Sequence, residues 1–531
     1  MSSGSSPNVL FVVMDTVRKD HLGPYGYQRD TTPGLDAFAE EATVFENAVA
    51  PAPWTLPVHA SMFTGMYPSQ HGANQENPYL EGATTLAQSL SAEGHDTACY
   101  SSNAWITPYT HLTDGFDDQD NFFEVMPGDL LSGPLAKLWR VLNDNPRLRT
   151  VADKLVSLGN TAHEYFSSAE GADSKTPHAV DRTKGFIEKA EQDNDDESWF
   201  SFINLMDAHL PYHPPTEFRE EFAPGVDSTE VCQNSKEFNS GARDISEEEF
   251  EDIRALYDAE IAHIDSQLTR LFDWLKRTDR WEDTVVVVAS DHGELHGEHG
   301  LYGHEFGLYD PIINVPLMIK HPDMKTGERE DTVELVDLYH TVLDSFDAQP
   351  TAAAPDEEAV PFDPTRSLLS SSYRQFDGVE DADPAQAAAS GGDTGFVEYS
   401  RPVVELKQLE EKAAAAGVEL DEDSRFYARM RAARRPDAKY VRVDRIEDEA
   451  FRLDSDPDET ENLAGGNDEG STGRGAVDDE AITEVEASLA SFETDIGGAW
   501  TGADDAEVTD EALEDMDEET QERLRDLGYV E

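Results

Sequence analysis

Cysteine is nearly absent. Cys99 and Cys232 are the two in 531 residues, too few for a disulfide framework, which suits a reducing interior or indifference to redox state. Basic residues are scarce as well. Lys and Arg number 40 against 111 Asp and Glu, a formal net charge of −71, and a surface of that sign repels phosphate backbones and anionic headgroups. No basic patch in the sequence offsets it, so neither a nucleic acid nor a membrane surface is expected as a partner. Long apolar runs are missing too. The stretch MSSGSSPNVLFVVMDTVRKD has no basic n-region, and its apolar run Val9 to Met14, like the later Val285 to Ala289, is strand-sized. Neither a signal peptide nor a membrane span is expected. No internal repeat shows at periods of ~20 to 50 residues.

The acid excess runs along the whole chain rather than gathering in one tail. Proteins of a high-salt interior need such a surface, since carboxylates hold water and the Debye length falls to ~3 Å at 1 M salt. A cytoplasmic location in a high-salt cell interior is therefore expected, and self-repulsion should unfold the protein in dilute buffer. Melting followed against KCl concentration is expected to show a midpoint that climbs towards molar salt. A midpoint independent of salt would contradict this.

With 38% hydrophobic residues, the chain can still build sizeable cores, and its length fits two to four domains. Four apolar runs read as buried strands: Val9 to Met14, Thr97 to Tyr100, Phe200 to Leu205 and Thr284 to Ala289. Helical spacing follows Pro33 (Leu35, Phe38, Ala39, Ala42) and extends from Phe250 to Leu275. The alternation predicts an α/β fold with a large, mainly parallel sheet flanked by helices, and a smaller C-terminal α+β subdomain. The expected boundaries are a catalytic domain over 1–348 with an insertion at 117–196, an acidic linker or mobile loop at 349–395, and the subdomain at 396–465. An acidic segment with a terminal helix in EALEDMDEETQERLRDLGYVE would occupy 466–531.

Three of the four strands run straight into candidate chemistry: Asp15 after the first, Asp207 and His209 after the third, Asp291 and His292 after the fourth. Ligands of open α/β sheets bind at the carboxyl ends of strands, so these residues are placed to converge on one crevice. Asp15, Thr55, Asp291 and His292 together make a hard, mostly oxygen site suited to one divalent ion, Mn²⁺, Mg²⁺, Ca²⁺ or Zn²⁺. A cation lowers the pKa of a bound hydroxyl, which turns a threonine into a nucleophile at neutral pH. Taken singly, each has an ordinary reading: Asp15 caps a helix, Thr55 sits in a loop, and SDHGE forms a turn.

The ordered set of segments is more specific, and it resembles the sulfatase branch of the alkaline phosphatase superfamily. PNVLFVVMDTVRKDHLGPYGYQRDTTPGLDAFAEEATVFENAVAPAP is similar to that family's opening strand and first metal ligand, and WTLPVHASMFTGMYPSQHG to its nucleophile segment, ordinarily C/S-x-P-x-R. FINLMDAHLPYHPP resembles the substrate-binding histidine segment, VVVVASDHGELHGEHGLYGHEFGLYDPIINVPLMIKHP the second half of the metal site, and KYVRVDRIEDEAFRLDSDPDETENLA with RLRDLGYVE the carboxyl-terminal strands and tail. The resemblance implies Asp15, Asp291 and His292 as metal ligands and Thr55 as ligand and nucleophile. It implies that His209 and His304 hold the anion or protonate the leaving group, and that His59 takes the place of the arginine that orients the nucleophile. His296 and His299 are left without a role.

Two departures shape the expected chemistry. Thr16 stands where the family commonly has a second acid, which implies one carboxylate ligand fewer. Thr55 replaces the Cys or Ser that becomes formylglycine, and its methyl-bearing β-carbon cannot become that aldehyde, so no formylglycine is expected. Threonine nucleophiles in the superfamily belong to phosphodiesterases and phospho-group transferases. The expected function is a metal-dependent hydrolase of sulfate or phosphate esters, phosphoesters favoured, acting on a small anionic substrate that is carbohydrate-linked in one version. The alternatives are a soluble transferase to an acceptor alcohol and an inactive metal- or glycan-binding homologue. Arg18, Lys19 and the bound cation are the candidates expected to make the crevice less negative than the rest of the surface.

Overall fold

The computed structural model of the chain describes residues 6–75, 77–121, 174–193, 198–355, 357–370, 373, 393–464 and 479–498. Its centre is an eight-stranded sheet in the order β10-β2-β9-β6-β1-β5-β3-β4. The strands are β1 (Asn8–Met14), β2 (Thr43–Val49), β3 (Asp96–Ser101), β4 (Asp118–Asn121), β5 (Trp199–Leu205), β6 (Thr284–Ala289), β9 (Asn314–Lys320) and β10 (Gly327–Glu334), with a two-residue hairpin of β7 (Leu295–His296) and β8 (Tyr302–Gly303) outside it. All run in one direction except β9, which is antiparallel to both β6 and β2.

The four strands expected from apolar runs are β1, β3, β5 and β6. In β1 every second side chain enters a different core: Val9, Phe11 and Val13 one face, Leu10, Val12 and Met14 the other. A strand buried on both faces must be apolar throughout, which is why it was visible as a run. One face is covered by the long helix Glu247–Arg277, capped by the Ser246 hydroxyl, which accepts from the Glu249 amide, with Glu247, Glu248 and Glu249 in its first turn and Lys276 and Arg277 in its last. These charges suit the helix dipole at each end. The other face takes the helix Thr55–Thr64, buried along its whole length.

A second sheet, β11 (Gly395–Tyr399), β12 (Met430–Arg434), β13 (Lys439–Val443) and β14 (Glu449–Phe451), is antiparallel throughout. It leans on the large sheet: the Glu398 amide donates to the Pro51 carbonyl at 2.9 Å, and the buried Lys439 pairs with Asp310 and Glu459. The helix Val403–Ala416 follows β11. The acidic stretch beyond residue 465 contains a helix that composition concealed, Glu480–Phe492, whose Val485 and Leu489 pack beside Tyr440 and Ala433. In the 349–395 segment, Leu368 is buried and Arg366 and Tyr373 both bind Asp337. Most of the expected insertion and the expected terminal helix lie outside the described residues. No described helix is long and apolar enough to cross a membrane.

Candidate active site

The carboxyl ends of four adjacent strands, β6, β1, β5 and β3, open on one buried polar cluster. Asp15 follows β1 with its amide donating to Leu205 O at 2.9 Å. The loop beyond is pinned from several sides: the Thr16 hydroxyl lies 2.7 Å from Asp15 O and 2.6 Å from Ala208 O, and the Tyr257 hydroxyl donates to Thr16 O at 2.7 Å. Thr16 is held at φ +59°, an uncommon conformation for a threonine. Its hydroxyl is thus committed to main chain and does not stand in for the missing acid. After β6, Ser290 Oγ sits between Met14 O (2.7 Å) and His292 O (2.6 Å), tying the two strand ends together. Gly293 then passes so close to its neighbour that a Cβ would stand 1.9 Å from Pro311 O, so glycine alone fits there.

Asp15, Asp291 and His292 are fully buried, and their donor atoms lie within 4.8 Å of one another, the one such group among the described residues. Each carboxylate has one engaged and one orphaned oxygen. Asp15 Oδ2 accepts from Asn103 Nδ2 (2.9 Å) and Asn204 Nδ2 (3.1 Å), while Asp291 Oδ1 accepts from the amides of His292 (2.9 Å) and Thr16 (3.2 Å). Asp15 Oδ1 and Asp291 Oδ2 have no partner. Burial, and then the charge of Asp291, raise the Asp15 carboxyl well above the usual range. His292 Nδ1 donates to Gly293 O at 3.0 Å, leaving the Nε2 lone pair free 3.5 Å from Asp291 Oδ2. Two unsatisfied buried carboxylate oxygens and an imidazole fixed in the ligating tautomer are what a divalent ion requires, so the residues present fit one.

Thr55 is the first residue of its helix, where orphan amides and the positive end of the dipole favour an anion. Its Oγ1 lies 3.4 Å from His292 Nε2 and accepts from Asn103 Nδ2 at 3.3 Å. His59, one turn on and fully buried, donates from Nδ1 to Thr55 O at 2.9 Å and places Nε2 3.4 Å from Asn204 Nδ2. It therefore sits beneath the nucleophile segment rather than in the open cavity, and burial pushes its pKa down.

The cavity above Thr55 has a volume of about 200 Å³ and is lined by His209, His304, Trp54, Trp105 and Lys236 among others. His209 Nδ1 donates to Leu210 O at 2.7 Å, and burial lowers its pKa to about 4, so it lines the cavity as a neutral ring. His304 Nδ1 lies 3.2 Å from Glu294 Oε1, with its ring 4.5 Å from that of His292.

The sequence-based candidates Asp15, Thr55, His59, His209, Asp291, His292 and His304 are thus brought together. Asp207 is not: it faces Thr176 and His263. Arg18 and Lys19 do not supply the cavity's charge either. Arg18 pairs with Asp20 and Glu298, and Lys19 with Glu46, so the expectation of a local correction by these two is overturned. The ammonium in the cavity wall is Lys236, from the short helix Ser235–Asn239. His296 is packed under Tyr212 and Tyr257, and His299 stacks on Tyr309 at 3.6 Å. Asn103 and Asn204, which hold Asp15, escaped sequence reading. Asn103 follows the run ACYS closely enough for the strand-end rule to have found it.

Comparison with known proteins matches residues 7–348 to the sulfatase family model. The uncharacterised sulfatase YidJ of Escherichia coli K12 is 26% identical over 389 residues, covering 68% of this chain and 72% of that protein. The multifunctional alkaline phosphatase superfamily protein PehA of Trinickia caryophylli is 26% identical over 401 residues, 67% of this chain and 76% of the relative. Among solved structures, the phosphonate monoester hydrolase of Agrobacterium radiobacter superposes with a TM-score of 0.57 at 20% identity, over 86% of this chain and 91% of its own, a likeness of fold.

Proposed function

The chain belongs to the sulfatase family, and from that premise we propose that it hydrolyses sulfate or phosphate esters through Thr55, with phosphoesters favoured. The observation that carries this is the Thr55 hydroxyl at a helix N-terminus, 3.4 Å from His292 Nε2 and facing the one buried Asp-Asp-His group of the described residues. Asp15, Asp291, His292 and the Thr55 hydroxyl would hold one divalent ion, which when bound lowers the hydroxyl pKa and balances the two carboxylates.

The chain's own residues do the rest. Asn103 donates to both Asp15 and Thr55 Oγ1, which leaves the hydroxyl proton free to depart and an Oγ1 lone pair aimed at the cavity. His59 fixes the carbonyl of Thr55 and so the first turn of the helix. Amides at that turn face the equatorial oxygens of the ester. His209 and His304 in the cavity wall would hold those oxygens, or pass a proton to the departing alcohol, once the ester anion has drawn a proton onto the Nε2 that each ring leaves free. Water then attacks the esterified Thr55 and regenerates the hydroxyl.

The one ammonium that described residues bring to the wall, Lys236, is already paired with Glu305. Singly charged esters are therefore accommodated better than a doubly charged phosphate monoester. Threonine cannot form the aldehyde that sulfate elimination needs, which favours phosphorus over sulfur. A panel of bis-aryl phosphate, aryl phosphonate, aryl phosphate and aryl sulfate, in molar KCl with Mn²⁺, Mg²⁺, Ca²⁺ or Zn²⁺ in turn, tests this. Diester or phosphonate turnover is expected to lead. A preference for the sulfate would overturn the argument from the nucleophile, and no turnover with any pair would overturn the enzyme reading.

A further inference from the structure

One of the two amides that hold Asp291 Oδ1, and so leave Oδ2 free, comes from a residue in a costly conformation. The His292 amide, at 2.9 Å, belongs to the next residue in the chain, but the Thr16 amide, at 3.2 Å, reaches across from the turn beyond β1. Thr16 delivers it from φ +59°. For a β-branched residue that is an outlier, and such a conformation persists only where its surroundings fix it.

Two hydroxyls do the fixing. That of Thr16 itself lies 2.6 Å from Ala208 O, beyond β5. That of Tyr257, from the middle of the long helix, donates to Thr16 O at 2.7 Å and accepts the Arg18 amide at 2.7 Å, which closes the turn from both sides of Val17. The Tyr257 ring is fully buried and cannot swing away, since it packs against Tyr212, His296 and His21 with centroids 5.4, 4.8 and 5.1 Å off. Tyr257 neither lines the cavity nor belongs to the Asp15, Asp291 and His292 group. Its influence on that group passes through the turn. Without its hydroxyl, two buried main-chain groups lose their partner and the turn gains by leaving φ +59°.

We propose that Tyr257 is a positioning residue of the metal centre: its hydroxyl braces Thr16 in the left-handed turn, so that the Thr16 amide secures Asp291 Oδ1 and leaves Oδ2 free to ligate. The proposal rests on the reading of Asp15, Asp291 and His292 as a metal site. It adds how the chain keeps that site shaped, with a tyrosine borrowed from the helix on the far side of the turn.

The test is calorimetric titration of the metal-free full chain with Mn²⁺ and Ca²⁺ in turn, in molar KCl. Tyr257→Phe is expected to bind the ion about tenfold or more weakly than the wild type, the range in which partners of ligating groups act. Adding Thr16→Gly to Tyr257→Phe is expected to restore affinity to within about threefold, because glycine takes a positive φ at no steric cost and needs no brace. A general loosening of the fold would not be relieved by a glycine. Tyr257→Phe binding as tightly as the wild type, or a weakened variant that Thr16→Gly leaves weak, would overturn the proposal while the metal-site reading stands. Should Tyr257→Phe fail to fold, the single variants Thr16→Gly and Thr16→Ala decide. Both lack the hydroxyl, and alanine alone keeps the cost of φ +59°, so alanine is expected to bind about fivefold or more weakly than glycine. Equal affinities of that pair would overturn the proposal. Wild type that binds neither ion would overturn the metal-site reading with it.

Discussion

Thr55→Ala is expected to lower kcat/KM by about four orders of magnitude or more, and to leave the melting temperature nearly unchanged. The two halves of that result come from different features of the same residue. Among the described residues the side chain supplies the only hydroxyl that faces both the His292 imidazole and the cavity, so without it the ester has nothing to attack it but water. Structurally it contributes little: it makes long hydrogen bonds of 3.3 and 3.4 Å, and as the first helical residue it is not the cap, a position held by Trp54. Alanine is a better helix former, which offsets the lost contacts to within about 1 kcal/mol. Thr55→Ser keeps the oxygen and is expected to retain activity within about tenfold. Activity assays paired with thermal melts check all three statements, and a Thr55→Ala protein as active as the wild type would sink the assignment.

The second large effect is a stabilisation. In chelator, Asp15→Asn is expected to melt higher than the wild type, by the equivalent of ~1–3 kcal/mol, while its affinity for the divalent ion falls about 100-fold or more. The wild-type fold places two carboxylates in full burial, each with an oxygen that nothing protein-borne satisfies. Asparagine can keep the acceptor that Asn103 and Asn204 bind at Oδ2, and turns its amide towards the orphaned oxygen of Asp291. The sign with pH follows from the raised Asp15 carboxyl. The fold favours its protonated form, so its contribution to stability is present below the ordinary carboxylate range near ~4 and is lost as pH rises towards the folded value. Metal-free wild type should therefore lose stability as pH climbs from that range, and Asp15→Asn should lose less. Melting curves against pH in chelator, with metal titration followed by calorimetry, measure both. A variant less stable than the wild type in chelator would contradict the picture of a site strained until filled.

The fold was legible where burial is complete and hidden where it is partial. β1 and β6 sit inside the sheet with helices on both faces, and their sequences NVLFVVM and TVVVVA show it. β10, an edge strand reading GEREDTVE, and β4, reading DQDN, carry the polar side chains that edges tolerate, so neither has a run to find. β2 carries Glu46 and Asn47 in its middle. The same distinction holds at the site. Asp15, Asp291 and His292 stand directly behind strands, and Thr55 and His59 share a recognisable segment. Asn204 lies inside β5 as one polar residue in WFSFINL, and Lys236 and Glu405 reach the cavity from segments far apart in the chain. Only the tertiary fold brings those together, because amides, lysines and glutamates are common and carry no spacing of their own. Composition also misled: the acid-rich stretch after residue 465 holds a packed helix whose apolar positions, Ile482, Val485 and Leu489, are ordinary amphipathic spacing in an acidic background.

The central claim is that Thr55 takes the phosphoryl or sulfuryl group of the ester onto its own oxygen. Rapid acid quench of the metal-loaded protein during turnover of the best ester, followed by peptide mass spectrometry, tests it most directly. The peptide that contains Thr55 is expected to carry a phosphoryl or sulfuryl group at that residue, absent from Thr55→Ala. Steady turnover with that peptide unmodified at every quench time, or a label on another residue, would contradict it.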